Sequence, residues 1–200
     1  MDVAERVNKA VATAEQVTGW MNPTELRWLA TQASTRKLVV EVGSWQGRST
    51  KALAIATPGV VFSVDHWLAT PPPSEISKTK GDWKVVKKTG SQHVMDIFLK
   101  NLGPEIVAGK CVPLNAPSVD GSARLKTMLG DQKIDMVFID ADHEYNMVKQ
   151  DIQIWRSLLA PNGLLCGHDY HEDWPGVLKA VRELVPNHGY LDGTMIWYAK

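Results

Sequence analysis

The run Leu38-Val39-Val40-Glu41-Val42 leaves this chain the least choice of fold. It is too short for a helix and too continuously apolar for a strand with one wet face, so it reads as a strand buried on both sides. Double burial requires helices above and below, which means a parallel sheet joined by crossover helices. The chain that follows obeys this rule. A helix is expected near 48–56, a strand near 60–65, a helix near 92–102 and a strand near 111–115. A helix near 119–129, a strand near 134–140, a long helix near 143–159 and a strand at 164–168 come next, the last two joined by the turn Ala160-Pro161-Asn162-Gly163. On the long helix, Tyr145, Val148, Ile152, Trp155 and Leu159 share one face and read as core.

Both ends depart from plain alternation. Residues 1–35 read as two helices, the second opened by Asn22-Pro23-Thr24-Glu25, with an N-cap, a proline in the first turn and a capping glutamate. At the other end a helix near 175–185 leads to strands near 188–191 and 194–199 across Asp192-Gly193, a tight-turn dipeptide. A closing hairpin puts one antiparallel strand into an otherwise parallel sheet. Residues 66–91 hold Pro71-Pro72-Pro73, two tryptophans and five lysines with no sustained period, and read as a lid or insertion loop.

With 200 residues, 1–200 forms a single domain. Lysine plus arginine balances aspartate plus glutamate at 22 each, so no net field draws the chain to nucleic acid or an anionic membrane, and a small molecule is the expected partner. No apolar run reaches spanning length and no signal-peptide pattern opens the chain, which points to the cytoplasm. Cys111 and Cys166 fall on strands that are not neighbours and are expected as free thiols.

The chemistry begins where the first strand ends, in Glu41-Val42-Gly43-Ser44-Trp45-Gln46-Gly47-Arg48-Ser49-Thr50. Two glycines between strand and helix set bare backbone and a helix N-terminus beside a ligand, although a plain tight turn would use the same residues. The next strand ends in Val64-Asp65, about 20 residues on, where a carboxylate can accept from ribose hydroxyls. The glycine spacing is not that of a pyrophosphate-binding turn, which argues against an NAD-dependent dehydrogenase and for a nucleoside without pyrophosphate. A second cluster joins Asp140-Ala141-Asp142-His143 to Gly167-His168-Asp169-Tyr170 at the tips of adjacent strands. There Asp140 and Asp169 could hold a hard divalent cation. Asp142 reads as a helix cap and His143 as a general base at the ligand rim.

On these motifs the chain resembles the class I S-adenosylmethionine-dependent methyltransferases, and among them the metal-assisted O-methyltransferases similar to catechol O-methyltransferase and to the macrocin and cephalosporin-hydroxylase-like group. The resemblance implies a Rossmann-like α/β fold with a seven-stranded sheet in the order 3-2-1-4-5-7-6, strand 7 antiparallel, with helices on both faces. It implies that Glu41, Gly43, Ser44, Trp45 and Gly47 form the first cofactor loop, with Ser49 near the methionine carboxylate, Asp65 on the ribose and Ser118 against the adenine. A serine opening a helix as its N-cap is the plainer reading of Ser118. Asp140, Asp169 and His168 would hold the metal, Mg²⁺ in the family, with Asp140 and His143 at the reacting hydroxyl. Related enzymes place a carboxylate where His168 stands; histidine suits Mn²⁺, Fe²⁺ or Zn²⁺ better, or orients Asp169 without binding metal. The implied reaction is methyl transfer to a hydroxyl of a small molecule, and a homodimer is the family's habit. The competing readings are a metal-independent methyltransferase with His143 as base and a non-catalytic nucleotide-binding module.

Overall fold

The computed structural model describes residues 1–68, 76–79, 82–85 and 91–199, with side chains for 1–68 and 94–199. Helices α1 (Val3–Ala14) and α2 (Pro23–Ala33) precede strand β1 (Leu38–Val42), helix α3 (Arg48–Ala56) and strand β2 (Val60–Asp65). A small hairpin, β3 (Ile76–Thr79) with β4 (Asp82–Val85), comes next, then α4 (Ser91–Val107), β5 (Cys111–Asn115), α5 (Ser118–Leu129) and β6 (Ile134–Ile139). The chain closes with α6 (Tyr145–Leu158), β7 (Leu159–Gly167), α7 (Pro175–Leu184), β8 (His188–Tyr190) and β9 (Trp197–Ala199).

The main sheet runs β5-β2-β1-β6-β7-β9-β8, which is 3-2-1-4-5-7-6 when its own strands are counted along the chain. Strand β9 is antiparallel to both β7 and β8, as the closing hairpin required. Side chains of β1 alternate between two cores. Val39 faces one built with α1 to α4, around Leu26, Leu53 and Phe98, while Leu38, Val40 and Val42 face one built with α5 to α7, around Ile152, Trp155 and Val181. Each face buries its apolar surface at roughly 25 cal/mol per Å², which is why every residue of the strand but Glu41 is apolar. Glu41 has the parity of Val39, so its carboxylate is driven under α3.

Several boundaries differ from the sequence reading. Helix α1 ends at Ala14, short of the helical spacing that the sequence carries over residues 3–17. Helix α4 continues through Pro104 to Val107. The Lys51 ammonium donates to the Asn101 carbonyl at 2.8 Å beside this proline and pairs with Glu105 at 2.6 Å, so a donor is supplied where the helix ladder is interrupted. Ala160 to Gly163 lie inside β7, where the register against β6 shifts between Ile134 and Met136. The lid expectation falls largely on residues outside the described ones, and β3 and β4 give its middle a hairpin. Trp67 is core, 2% exposed and packed on Phe98. Cys111 and Cys166 are both free and buried, and burial pushes the Cys111 thiol up to about 12. Among the described residues no helix is long and apolar enough to cross a membrane.

Candidate functional site

Parallel register brings the strand tips to one level. Val42 pairs with Val64 on one side and Ile139 on the other, and Ile139 pairs with Gly167. The next residues, Gly43, Asp65, Asp140 and His168, therefore share one rim, over which a cavity of about 1250 Å³ opens. Gly43 is forced by this register. With φ +88°, a Cβ there would overlap the Asp140 carbonyl oxygen and sit 2.6 Å from Ala141 Cα. Gly47, φ +90°, is off the cavity wall, and a Cβ there would overlap Leu102 of α4. Both glycines serve close approach of protein to protein, which the motif alone could not distinguish from close approach to a ligand.

Asp65 organises the loop between them. Its Oδ2 accepts from the Ser44 and Trp45 amides, both at 2.9 Å, and its Oδ1 from the Trp67 amide at 2.6 Å. The Trp67 indole then donates to the Trp45 carbonyl at 2.8 Å, fixing Trp45 at φ +43°. A carboxylate has about four acceptor sites, so three amides leave room for one further hydroxyl. Glu41, fully buried and off the cavity wall, accepts from Thr50. Burial pushes its carboxyl up to about 7, against the hydroxyls of Ser49, Thr50 and Ser44. Ser44 and Ser49 reach the wall itself.

At the far end of this half, α5 opens without a side-chain cap and Pro117 takes the N-cap position, so Ser118 is not the cap. Its hydroxyl donates to Asp151 Oδ1 at 2.5 Å and accepts from the Trp155 indole at 2.8 Å. Burial pushes the Asp151 carboxyl up to about 6, against the Ser118 hydrogen bond. Ser118 and Asp151 both line the cavity.

The other half gathers the charges. His168 Nδ1 lies 3.2 Å from Asp169 Oδ1 and 3.8 Å from Asp140 Oδ1, and its Nε2 lies 3.1 Å from Glu25 Oε1. Asp169, at φ +61°, meets His143 Nε2 with its other oxygen at 2.8 Å, and the His143 ring stacks on Trp174 at 3.9 Å. Burial pushes Asp140 well above the carboxylate range, Asp169 and Glu41 adding to it. Burial pushes Asp169 the same way, but hydrogen bonds from His143 and His168 outweigh it and hold it well below. His168 is pulled down by burial, yet Asp140, Asp169 and Glu25 hold it well above its ordinary value. Asp142 accepts from the Glu144 amide at 2.7 Å in the turn before α6.

Asp140, His168 and Asp169 each offer one atom within 4.8 Å of the others, the only such group of three among the described residues. Two carboxylates and one imidazole form a mixed oxygen and nitrogen donor set, which fits Mn²⁺, Fe²⁺ or Zn²⁺ better than Mg²⁺. The sequence had pointed to most of this site, but not to Glu25. Its capping position in Asn22-Pro23-Thr24-Glu25 explained it fully, and nothing local announces a histidine 143 residues away. The segment before α2 adds Trp20, tilted against Trp45 with ring centroids 4.3 Å apart, and is held down by Arg48, which donates to the Val17 and Met21 carbonyls.

Comparison with known proteins follows this geometry. A sequence family described as a methyltransferase domain matches residues 40–170. No curated protein matches the chain. Among solved structures, the O-methyltransferase from Bacillus cereus in complex with S-adenosylhomocysteine is similar, at 16% identity and TM-score 0.63 over 99% of this chain and 90% of that one. The calicheamicin methyltransferase CalS11 is 13% identical, with TM-score 0.63 over 98% and 91%. Cofactor-bound Rv0187 from MTB is 17% identical, with TM-score 0.61 over 98% and 89%. At such identities these likenesses concern the fold.

Proposed function

The chain belongs to the methyltransferase-domain family, and from that premise we propose that it transfers a methyl group from S-adenosylmethionine to a hydroxyl of a small molecule, assisted by a divalent cation. The observation that carries this reading is the division of one cavity into two chemistries: a loop cinched by Asp65 on one side, and the Asp140, His168, Asp169 and His143 cluster on the other. S-adenosylmethionine, when bound, supplies an electrophilic methyl on a sulfonium. Asp65 has one acceptor site left for a sugar hydroxyl, and Ser118 and Asp151 stand at the base end of the same half. The O-methyltransferase from Bacillus cereus described above carries the demethylated product of this cofactor, which supports the assignment.

A divalent cation at Asp140, His168 and Asp169 would supply Lewis acidity toward the acceptor oxygen. The residues themselves handle the proton. Asp169, held ionised, can only accept from His143, so the imidazole proton sits on Nε2 and Nδ1 is left as the basic nitrogen. Trp174 stacks on that ring and fixes its plane. Holding acceptor and methyl in reacting geometry can contribute several kcal/mol, up to about 7–11 in the best-oriented cases. Balanced charge favours a small-molecule acceptor over nucleic acid or an anionic membrane, and action in the cytoplasm as a homodimer belongs to the same proposal.

One observation favours a second reading. His168 faces carboxylates with both ring nitrogens, so a doubly protonated His168 would itself supply positive charge between Asp140 and Asp169. Turnover of a panel of hydroxylated acceptors, followed as S-adenosylhomocysteine release, separates the two. Loss on chelation with recovery on Mn²⁺ supports the metal-assisted enzyme, and turnover indifferent to chelator supports the second. Absence of S-adenosylhomocysteine binding by calorimetry overturns both.

A further inference from the structure

Glu25 does more than cap its helix, and we infer that it is a positioning residue of the cation site, supplied by an element outside the residues that match the family. This inference rests on the metal-assisted reading above. Glu25 is 3% exposed, and both its oxygens are used. Oε2 accepts from the Asn22 amide at 2.9 Å and completes the capping box of α2. Oε1 faces His168 Nε2 at 3.1 Å and accepts from the Met195 amide at 3.1 Å, in the turn between β8 and β9.

Oε1 holds the His168 ring by its Nε2 edge and turns Nδ1 toward Asp140 and Asp169. Without a cation, both ring nitrogens face carboxylates. With a cation bound between Asp140 and Asp169, Nδ1 would be its ligand, and the one proton left on the ring would sit on Nε2, against Glu25. A carboxylate behind a ligating histidine also raises the basicity of the ring, and removal of such partners typically costs about 10- to 100-fold in metal affinity. The family match begins at residue 40, whereas Glu25 lies on α2, so the N-terminal helices are part of the site and not an appendage to it.

The test uses the full chain, Mn²⁺ and diamagnetic Zn²⁺ as probes, and no acceptor. Mn²⁺ affinity is read by electron paramagnetic resonance in wild type, Glu25→Gln and Asn22→Ala, and the His168 tautomer by nitrogen-15 NMR of the Zn²⁺-loaded protein. Glu25→Gln keeps the size of the side chain and can still cap α2, while Asn22→Ala removes the cap without touching His168. The expected result is a wild-type Nε2–H tautomer and Mn²⁺ binding about 10- to 100-fold weaker in Glu25→Gln, with Asn22→Ala within about threefold of wild type, a difference of under 1 kcal/mol. Equal affinity in wild type and Glu25→Gln, equal weakening in both variants, or an Nδ1–H tautomer in wild type overturns the role of Glu25. A wild-type protein that binds no Mn²⁺ overturns the metal-assisted reading itself, and the inference with it.

Discussion

Replacing Gly43 by alanine is expected to damage both stability and cofactor binding, by an amount that can be built up from two separate contributions. Alanine at φ +88° costs about 1–2 kcal/mol for the left-handed backbone. The added methyl would also lie 2.6 Å from Ala141 Cα, against the 3.5–4.0 Å of comfortable carbon contact. The obstructing atoms are backbone at the tip of β6, so no side-chain rotation relieves them, and such overpacking costs about 1–3 kcal/mol more. The sum, about 2–5 kcal/mol, should lower the melting temperature by about 4–20 °C at roughly 2–4 °C per kcal/mol for a domain of this size. Gly109 provides the comparison, because it has φ +69° but open space where a Cβ would go. Gly109→Ala should lose only the backbone contribution, about 1–2 kcal/mol. Thermal unfolding by circular dichroism reads both, and calorimetry should show S-adenosylhomocysteine affinity reduced at least about tenfold in Gly43→Ala alone, about 1.4 kcal/mol. If the two variants melt together, the idea that β1 and β6 touch through the missing side chain is wrong.

Three further outcomes are expected. Asp65→Asn removes charge from an acceptor of three amides, and one lost charged hydrogen bond at about 1.5–3 kcal/mol corresponds to roughly 10- to 150-fold weaker S-adenosylhomocysteine binding; calorimetry within threefold of wild type would contradict it. His143→Gln should cut kcat by about 10²–10⁴ while S-adenosylhomocysteine affinity stays within about threefold, and a loss confined to KM would remove the base assignment. Asp151 has its folded pKa raised to about 6 from 3.8, so its stabilising form is the protonated one, present below 3.8 and lost as pH rises through 6. Denaturant unfolding should therefore show wild type losing up to about 3 kcal/mol relative to Asp151→Asn between pH 4 and pH 8, at 1.36 kcal/mol per pKa unit. A flat difference, or one of opposite sign, would contradict it.

What the sequence made legible was whatever a short window of residues determines. Five consecutive residues suffice to make β1 a doubly buried strand, and Asp192-Gly193 suffices to turn the closing hairpin that sets β9 antiparallel. The tips of adjacent parallel strands follow from topology, so Asp65, Asp140 and Asp169 could be placed on one rim before any coordinates. What could not be read was the choice among partners there. That Asp65, expected on ribose hydroxyls, also holds three backbone amides was not legible, because the turn after β1 needs an acceptor and the nearest is across the β1–β2 register. Ser118 similarly spends its one proton on Asp151, a residue a helix away. The helix expected near 92–102 runs on through Pro104, and its partner in α3, Lys51, is invisible from the α4 sequence.

The meeting of Glu25 with His168 and with the Met195 amide joins points 143 and 170 residues apart along the chain. Contacts of such separation come late in folding, since the loop they close must be ordered first. Strands β1 and β2 with α3, by contrast, are close neighbours in sequence and can assemble early around Asp65. Variants that loosen the Glu25 contact are therefore expected to disturb the cation side of the cavity while the Asp65 loop, built from near neighbours in sequence, stays in place.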